Sequence, residues 1–189
     1  MRIIPGDAMS PLSIPASARQ AWYPRQDYQA VMATSLPGGG ARLGVRVEAD
    51  GLRAIDVLPG PPPERVPTDD LAAEVVRQLE AYFADPRHSF DLPLSLHGTA
   101  YQCRVWQGLR EIAPGERSTY GELAIRVGGS PRAVGNACRQ NPLPVVIPCH
   151  RVVARTGLGG YMGEQDGTAM AIKRWLLAHE GGGDSAFPV

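Results

Sequence analysis

The chain has almost no lysine: Lys173 is the only one among 189 residues, and arginine carries the rest of the side-chain positive charge. That bias reads as compositional and excludes nothing by itself. Cysteine is scarce too. Cys103, Cys138 and Cys149 form an odd count without framework spacing, which argues against a disulfide-stapled scaffold and for free thiols in a reducing compartment. No apolar run approaches the length of a membrane span, and the opening segment from Met1 to Ser17 lacks an apolar core of signal-peptide length. The expectation is a soluble cytoplasmic protein with no membrane contact. Aromatic residues make up only 6%, yet the hydrophobic share is 43%, enough at this length for one ample domain or two small ones.

A net charge of zero hides two unlike halves. Up to Leu92 there are nine arginines against twelve acids; from Pro93 to Gly181, ten cations face six acids. A basic C-terminal half beside an acidic N-terminal half fits one DNA-facing domain, although such asymmetry is weak evidence alone.

Residues 1–22 are rich in Pro, Ser and Ala and read as a loose leader. Leu43 to Val47 and Leu52 to Leu58 alternate apolar and polar residues around Ala49-Asp50-Gly51, a hairpin signal. Thr68-Asp69-Asp70 then opens a helix on which Leu71, Val75, Leu79 and Phe83 recur at helical spacing before Pro86 closes it. Residues 23–92 thus predict a small α/β unit in which nothing looks catalytic. Phe90 to Gly98 reads as an extended linker.

Residues 93–181 have a different texture. Tyr101, Val105, Leu109 and Ile112 mark a helix ended by Pro114-Gly115. Thr119 with Glu122 forms a capping-box pattern for a second helix, ended by Gly128-Gly129, and Ser130-Pro131 opens a third. The outline fits a helix-turn-helix; from spacing alone, a plain αα-hairpin is the simpler account. A buried-looking run, Val145 to Ile147, reads as a short apolar strand leading into Pro148-Cys149-His150-Arg151. A final amphipathic helix spans Ala169 to His179, and residues 182–189 form a tail. A cysteine beside a histidine and an arginine suits thiolate chemistry, because a nearby imidazole or cation lowers a thiol's pKa. A bare Cys-His pair fits an inert core cysteine equally well.

The run from Asn141 through Pro148-Cys149-His150-Arg151-Val152-Val153 closely resembles the active-site signature of the O6-alkylguanine-DNA alkyltransferases. Gly98 to Trp106, Gly115-Glu116 with Thr119 to Ala124, Arg132 to Gly135, and Lys173 to Gly181 match that family in the same order, so the resemblance spans about Leu79 to Gly181. It implies an α+β architecture: a ribonuclease H-like N-terminal α/β domain, then a winged helix-turn-helix-like domain carrying the site. It also implies irreversible, single-turnover transfer of an alkyl group from O6-alkylguanine in a flipped-out base to Cys149, with O4-alkylthymine left open. No cofactor is called for, and the partner would be double-stranded DNA, bound in the minor groove by a monomer.

By position, Cys149 resembles the alkyl acceptor. His150 resembles the base acting through a bridging water, Glu180 the carboxylate orienting it, Asn141 the brace of the turn, and Tyr120 the hydroxyl facing the guanine. Arg132 resembles the finger that fills the vacated stack, with Ala133 and Gly135 small enough for close groove approach. Thr119, Arg139 and Arg155 fall with the DNA-contacting set. Val152, Tyr161, Pro144, Arg151 and Met162 fall with the base and alkyl pocket. Two departures stand out. The stretch from Met162 to Met170 is longer and more acidic than the family's Gly-Gly turn, which puts the range of alkyl groups in question. The N-terminal half also has no cysteine, with His88 its only histidine, so no zinc site is expected. A lesion sensor, a Cys-His hydrolase and an alkylation-sensing regulator rank below: the acceptor cysteine is present, nothing signals an oxyanion hole, and no second cysteine motif exists.

Overall fold

The computed structural model describes residues 27–58, 60 and 63–181, so the expected leader and tail lie outside the described residues. The fold is mixed α/β. Strands β1 (Ala30–Ala33), β2 (Arg42–Glu48) and β3 (Gly51–Leu58) form an antiparallel meander in the order β1-β2-β3. Val45 pairs with Ile55 and Glu48 with Gly51, closing the hairpin where the alternation placed it. Gly44 is required by a close approach: a Cβ there would lie 2.7 Å from the Tyr28 ring.

Helix α1 (Asp70–Ala84) packs on this sheet. Asp69 is its N-cap, accepting a hydrogen bond from the Ala72 amide at 2.8 Å. Its buried face carries Ala72, Val75, Gln78, Leu79 and Tyr82. The sequence periodicity had that face slightly rotated, because Leu71 and Phe83 are only partly buried and Tyr82 takes the inward place. Each large apolar side chain so buried contributes about 1.5–3 kcal/mol.

The expected linker does more than connect. The Leu52 amide donates to Pro93 O at 2.8 Å and the Ser95 amide donates to Leu52 O at 3.0 Å, so this segment lies along β3. Helix α2 (Ala100–Arg110) follows, with a capping box between Thr99 and Gln102. Strand β4 (Ser118–Thr119) leads directly into α3 (Tyr120–Val127), whose capping box joins Thr119 and Glu122. After Gly128, in a left-handed conformation (φ 71°), Ser130 caps α4 (Pro131–Arg139) with Pro131 in the first turn. Strand β5 (Val152–Val153) pairs parallel with β4, and α5 (Gly167–His179) closes the fold. One buried apolar cluster runs through both halves, from Leu43 and Leu79 to Leu109, Leu123, Ile147 and Leu176.

The approach to Cys149 departs from the sequence reading. The Val145–Ile147 run is a turn, not a strand. The Ile147 amide reaches back to Leu143 O at 2.8 Å, and Val145 sits at φ 76°. Pro144 has no amide to offer a ladder, and a left-handed valine breaks the extended path at a strain of order 1–3 kcal/mol.

Candidate active site

Pro148 sets up the nucleophile. With φ −81° and ψ 64° it is the centre of an inverse γ-turn, closed by the Cys149 amide donating to Ile147 O at 2.8 Å. Cys149, His150 and Arg151 then form one turn of 3-10 helix, which resolves how neighbours in sequence serve one site: the turn, not an extended strand, carries them. Asn141 holds this turn from the side. Its Nδ2 donates to Ile147 O at 2.8 Å and lies 3.3 Å from Cys149 Sγ, while its Oδ1 accepts the Leu143 amide at 3.0 Å.

Behind the turn lies a buried ionic knot. Glu180, the residue that ends α5, has a fully buried carboxylate. Its Oε1 accepts from His150 Nε2 at 2.9 Å, Arg151 Nη2 at 2.8 Å and the Tyr82 hydroxyl at 2.8 Å; its Oε2 accepts from Arg151 Nε at 2.9 Å. Arg151 thus grips the carboxylate with a two-pronged fork, and its Nη1 also donates to Ile112 O. Burial pushes the Glu180 pKa up, but the bonds from His150 and Arg151 outweigh it and hold the carboxyl well below the usual range. Burial draws His150 below its ordinary value of 6.5, against the pull of Glu180. The imidazole is therefore neutral near pH 7. With Nε2 donating to Glu180, Nδ1 remains as an acceptor, buried and without a hydrogen-bond partner among the described residues.

In front of Cys149 a cavity of about 190 Å³ opens between α3, α4 and the loop after β5. Tyr120, Gly135, Cys138, Gly160, Tyr161 and Met162 line it with Cys149 itself. The parallel β4–β5 pairing sets Tyr120, at the start of α3, near the turn that carries the thiol. Its hydroxyl donates weakly to Gly160 O at 3.3 Å, and burial, then the two nearby thiols, push its pKa up to about 12. The Tyr161 hydroxyl is buried without a partner. Burial also raises the Cys149 thiol, opposed by the Asn141 amide and the positive charge of Lys173. At rest the nucleophile is a thiol, and a base must take its proton.

The other expected residues fall in several places. Arg132 is exposed at the start of α4, with Ala133 beside it. Arg139 lines the cavity from the end of α4, while Arg155 is exposed on the turn after β5. Thr119 spends its hydroxyl on the helix cap, bonding the Glu122 amide at 3.1 Å. Two pocket expectations need correction. Arg151 does not line the cavity, because Glu180 and Ile112 hold its guanidinium on the far side of the turn. Val152 is fully buried in the β4–β5 pairing instead of forming a wall. Pro144 lines an adjoining cavity that also reaches Cys149.

Three contributors escaped sequence reasoning. Tyr82 comes from the half that looked chemically silent, and nothing in its sequence context distinguishes it. Lys173 is fully buried and donates from Nζ to Val152 O at 2.7 Å, Leu158 O at 2.6 Å and Gly160 O at 3.0 Å, fastening the cavity loop to β5. A lone lysine in an arginine-rich chain was its signal. Cys138 shares the cavity wall with Gly135, one helical turn earlier, a spacing that would have exposed it.

A buried cysteine backed by a neutral histidine and a tethered carboxylate, opening under two short capped helices, defines a protein that uses a thiol as nucleophile on a bound ligand. Comparison with known proteins narrows that class. Residues 100–182 match the family model described as 6-O-methylguanine DNA methyltransferase, DNA binding domain. A methylated-DNA–protein-cysteine methyltransferase of Methanosarcina acetivorans is 40% identical over 142 residues, covering 71% of this chain and 88% of that protein. One from Mycobacterium leprae is 48% identical over 107 residues, covering 53% and 65%. The crystal structure of Mycobacterium tuberculosis OGT in complex with DNA superposes with a TM-score of 0.62 at 34% identity, covering 80% of this chain and 92% of that one. The chain belongs to the methylated-DNA–protein-cysteine methyltransferase family.

Proposed function

We propose that the protein repairs DNA by direct reversal, moving an alkyl group from O6 of a guanine onto Cys149 and keeping it. The observation that carries this reading is the Glu180–His150 pair behind a buried thiol: the base is neutral, oriented and beside its nucleophile. His150 Nδ1 takes the Cys149 proton, through a water that bridges the two. The thiolate attacks the alkyl carbon, the S–C bond forms as the C–O6 bond breaks, and the electron pair stays with guanine, which regains a proton at N1. Glu180 stabilises the resulting imidazolium, which is triad logic applied to a thiol. Tyr120 supplies a hydroxyl to the guanine edge, its raised pKa keeping it a donor. A thioether does not hydrolyse, so each molecule acts once.

DNA is the partner, and the finer reading of the complex follows from the helix pair. Helix α4, with exposed Arg132 in its first turn and small residues Ala133 and Gly135 behind it, suits a minor-groove approach that ignores sequence. The target base must leave the stack to reach the cavity, and Arg132 would fill the gap. On this reading residues 93–181 form the winged helix-turn-helix-like domain and residues 23–92 a ribonuclease H-like buttress, and a single chain binds one lesion. Among the described residues, no helix is long and apolar enough to cross a membrane.

The test is intact mass against time with excess duplex bearing one O6-methylguanine. One methyl on the Cys149 peptide, one repaired guanine per chain and no reaction for Cys149→Ala are expected. More than one repaired guanine per chain would make it a turnover catalyst; tight binding without mass change would make it a sensor.

A further inference from the structure

A second cavity, of about 260 Å³, meets Cys149 from the side opposite the base-sized opening. Met162 and Arg139 line both spaces and so stand at the partition. Pro144 forms an apolar wall of the second cavity next to Cys149, and the N-terminal hairpin supplies its outer end with Arg46, Arg53 and Asp56. The hairpin is anchored there by the Ile55 amide donating to Pro142 O at 2.9 Å.

The charge of this space is lopsided. Three guanidiniums face one carboxylate, and Asp56 is already engaged by the Tyr28 hydroxyl at 2.9 Å. Arg53 pairs with Glu48 at 3.3 Å, and Glu48 is not among the lining residues. Arg46 is the telling member. Its Nε is buried without a hydrogen bond, with Asp56 Oδ2 at 3.7 Å, in ion-pair range only. A buried donor left unmade costs free energy, and an anion reaching this space would satisfy it. An electrophilic carbon at Cys149 has two directions available to its substituents: back to the base through the first cavity, or onward into this one.

We propose that this arginine-lined annex receives the far end of the alkyl group and selects O6-alkyl groups that end in an anion, carboxyalkyl groups above all. The proposal rests on the alkyltransferase reading and names its substrate class. The step balances as for methyl. Cys149–SH and guanine O6–CH2–COO⁻ give Cys149–S–CH2–COO⁻ and guanine, with the thiol proton passing to His150 and a proton taken up at guanine N1. The carboxylate is a spectator held by Arg46 and Arg53, so it orients the reacting carbon and takes no part in bond exchange. A phosphate of the DNA backbone offers similar chemistry from outside the lesion, and the choice of lesions separates the two.

The experiment compares single-turnover transfer to the full chain from duplexes with O6-carboxymethylguanine, O6-carbamoylmethylguanine (nearly the same shape, uncharged) and O6-methylguanine. The native chain should transfer carboxymethyl about tenfold faster than carbamoylmethyl, the scale of one charge-assisted contact in a partly wet site. Arg53→Gln should bring that ratio close to one with the methyl rate unchanged, and Arg46→Gln should do the same if Arg53→Gln folds poorly. A native ratio at or below one overturns the proposal. So does an equal slowing of all three lesions in both variants, which would assign the arginines to backbone phosphate or to the fold. If the native chain transfers no methyl either, the alkyltransferase reading itself has failed.

Discussion

The two sides of Cys149 are built on opposite plans. Behind it, Glu180 accepts four hydrogen bonds from three residues drawn from α1 and the 3-10 turn, and the whole group is buried. In front, the loop from Met162 to Asp166 is exposed, with Met162 at φ 52° and its backbone tied only by the mutual Tyr161–Glu164 bonds at 2.9 Å. Proton removal requires charges fixed before the substrate arrives, since reorganising them would raise the barrier. Recognition of varied alkyl groups requires a wall that can be rebuilt without cost to the fold. The molecule keeps these demands apart, and they meet at one sulfur.

The rear should break hardest. Glu180→Gln leaves Arg151 a buried cation without its counter-charge, and urea unfolding should register a loss of about 3–5 kcal/mol together with slowed transfer. A loss below about 1 kcal/mol would show that solvent already reaches the knot. Acid attacks the same place. Glu180 is held low, so its stabilisation is complete above the unfolded carboxyl value and drains as pH falls toward its folded one. His150 is depressed too: the unfolded chain takes up a proton below 6.5 before the folded one does, so stability declines as pH falls through that range. Thermal unfolding should therefore be flat above 6.5 and fall steadily below it.

Tyr82→Phe is the sharper cut, removing one donor and little volume. The expected cost is about 1.5–3 kcal/mol, as for a hydrogen bond to a charged group. Relieved of that donor, Glu180 Oε1 binds the His150 N–H more tightly and favours the imidazolium. The acid limb of the transfer-rate profile should move to higher pH, and a limb that stays put would reduce Tyr82 to packing. Alkylation itself probes the boundary between the two plans. A methyl on a thiol only 5% exposed overfills its surroundings, so the product should unfold about 1–3 kcal/mol more easily than the native chain. Equal stability would mean that the front has yielded. The smallest effect belongs to the lip. Glu164→Gln with Asp166→Asn should leave stability within about 0.5 kcal/mol and tighten DNA binding only at low salt, where exposed charge still acts.

How much of this was legible depended on whether the signal was local. Caps are decided within four residues, and Thr119 with Glu122, Ser130 with Pro131 and Asp69 at α1 all stand where the sequence placed them. The β2–β3 hairpin was readable for the same reason. Val145 to Ile147 misled because a valine in the left-handed region contradicts its own preference, and only the surrounding turn enforces it. The pairing of His150 with Glu180 came through resemblance, not pattern. Tyr82 and Glu180 meet across 98 intervening positions, a contact created by the docking of α1 against the end of α5, which no window along the chain can sense. Arg151 was readable as important and misread in direction, since a 3-10 turn points it backward where a strand would have turned it to the cavity.

Lys173, clasped by three carbonyls, also makes the folded chain silent to amine chemistry at its side chains. An acylating reagent finds no exposed lysine to modify, because the only one is fully buried. Modification of Lys173 can proceed only when the loop from Leu158 to Gly160 lets go of β5. The rate at which a small ester labels that single residue is thus a clock for the opening of the cavity wall, readable by mass without any engineered probe.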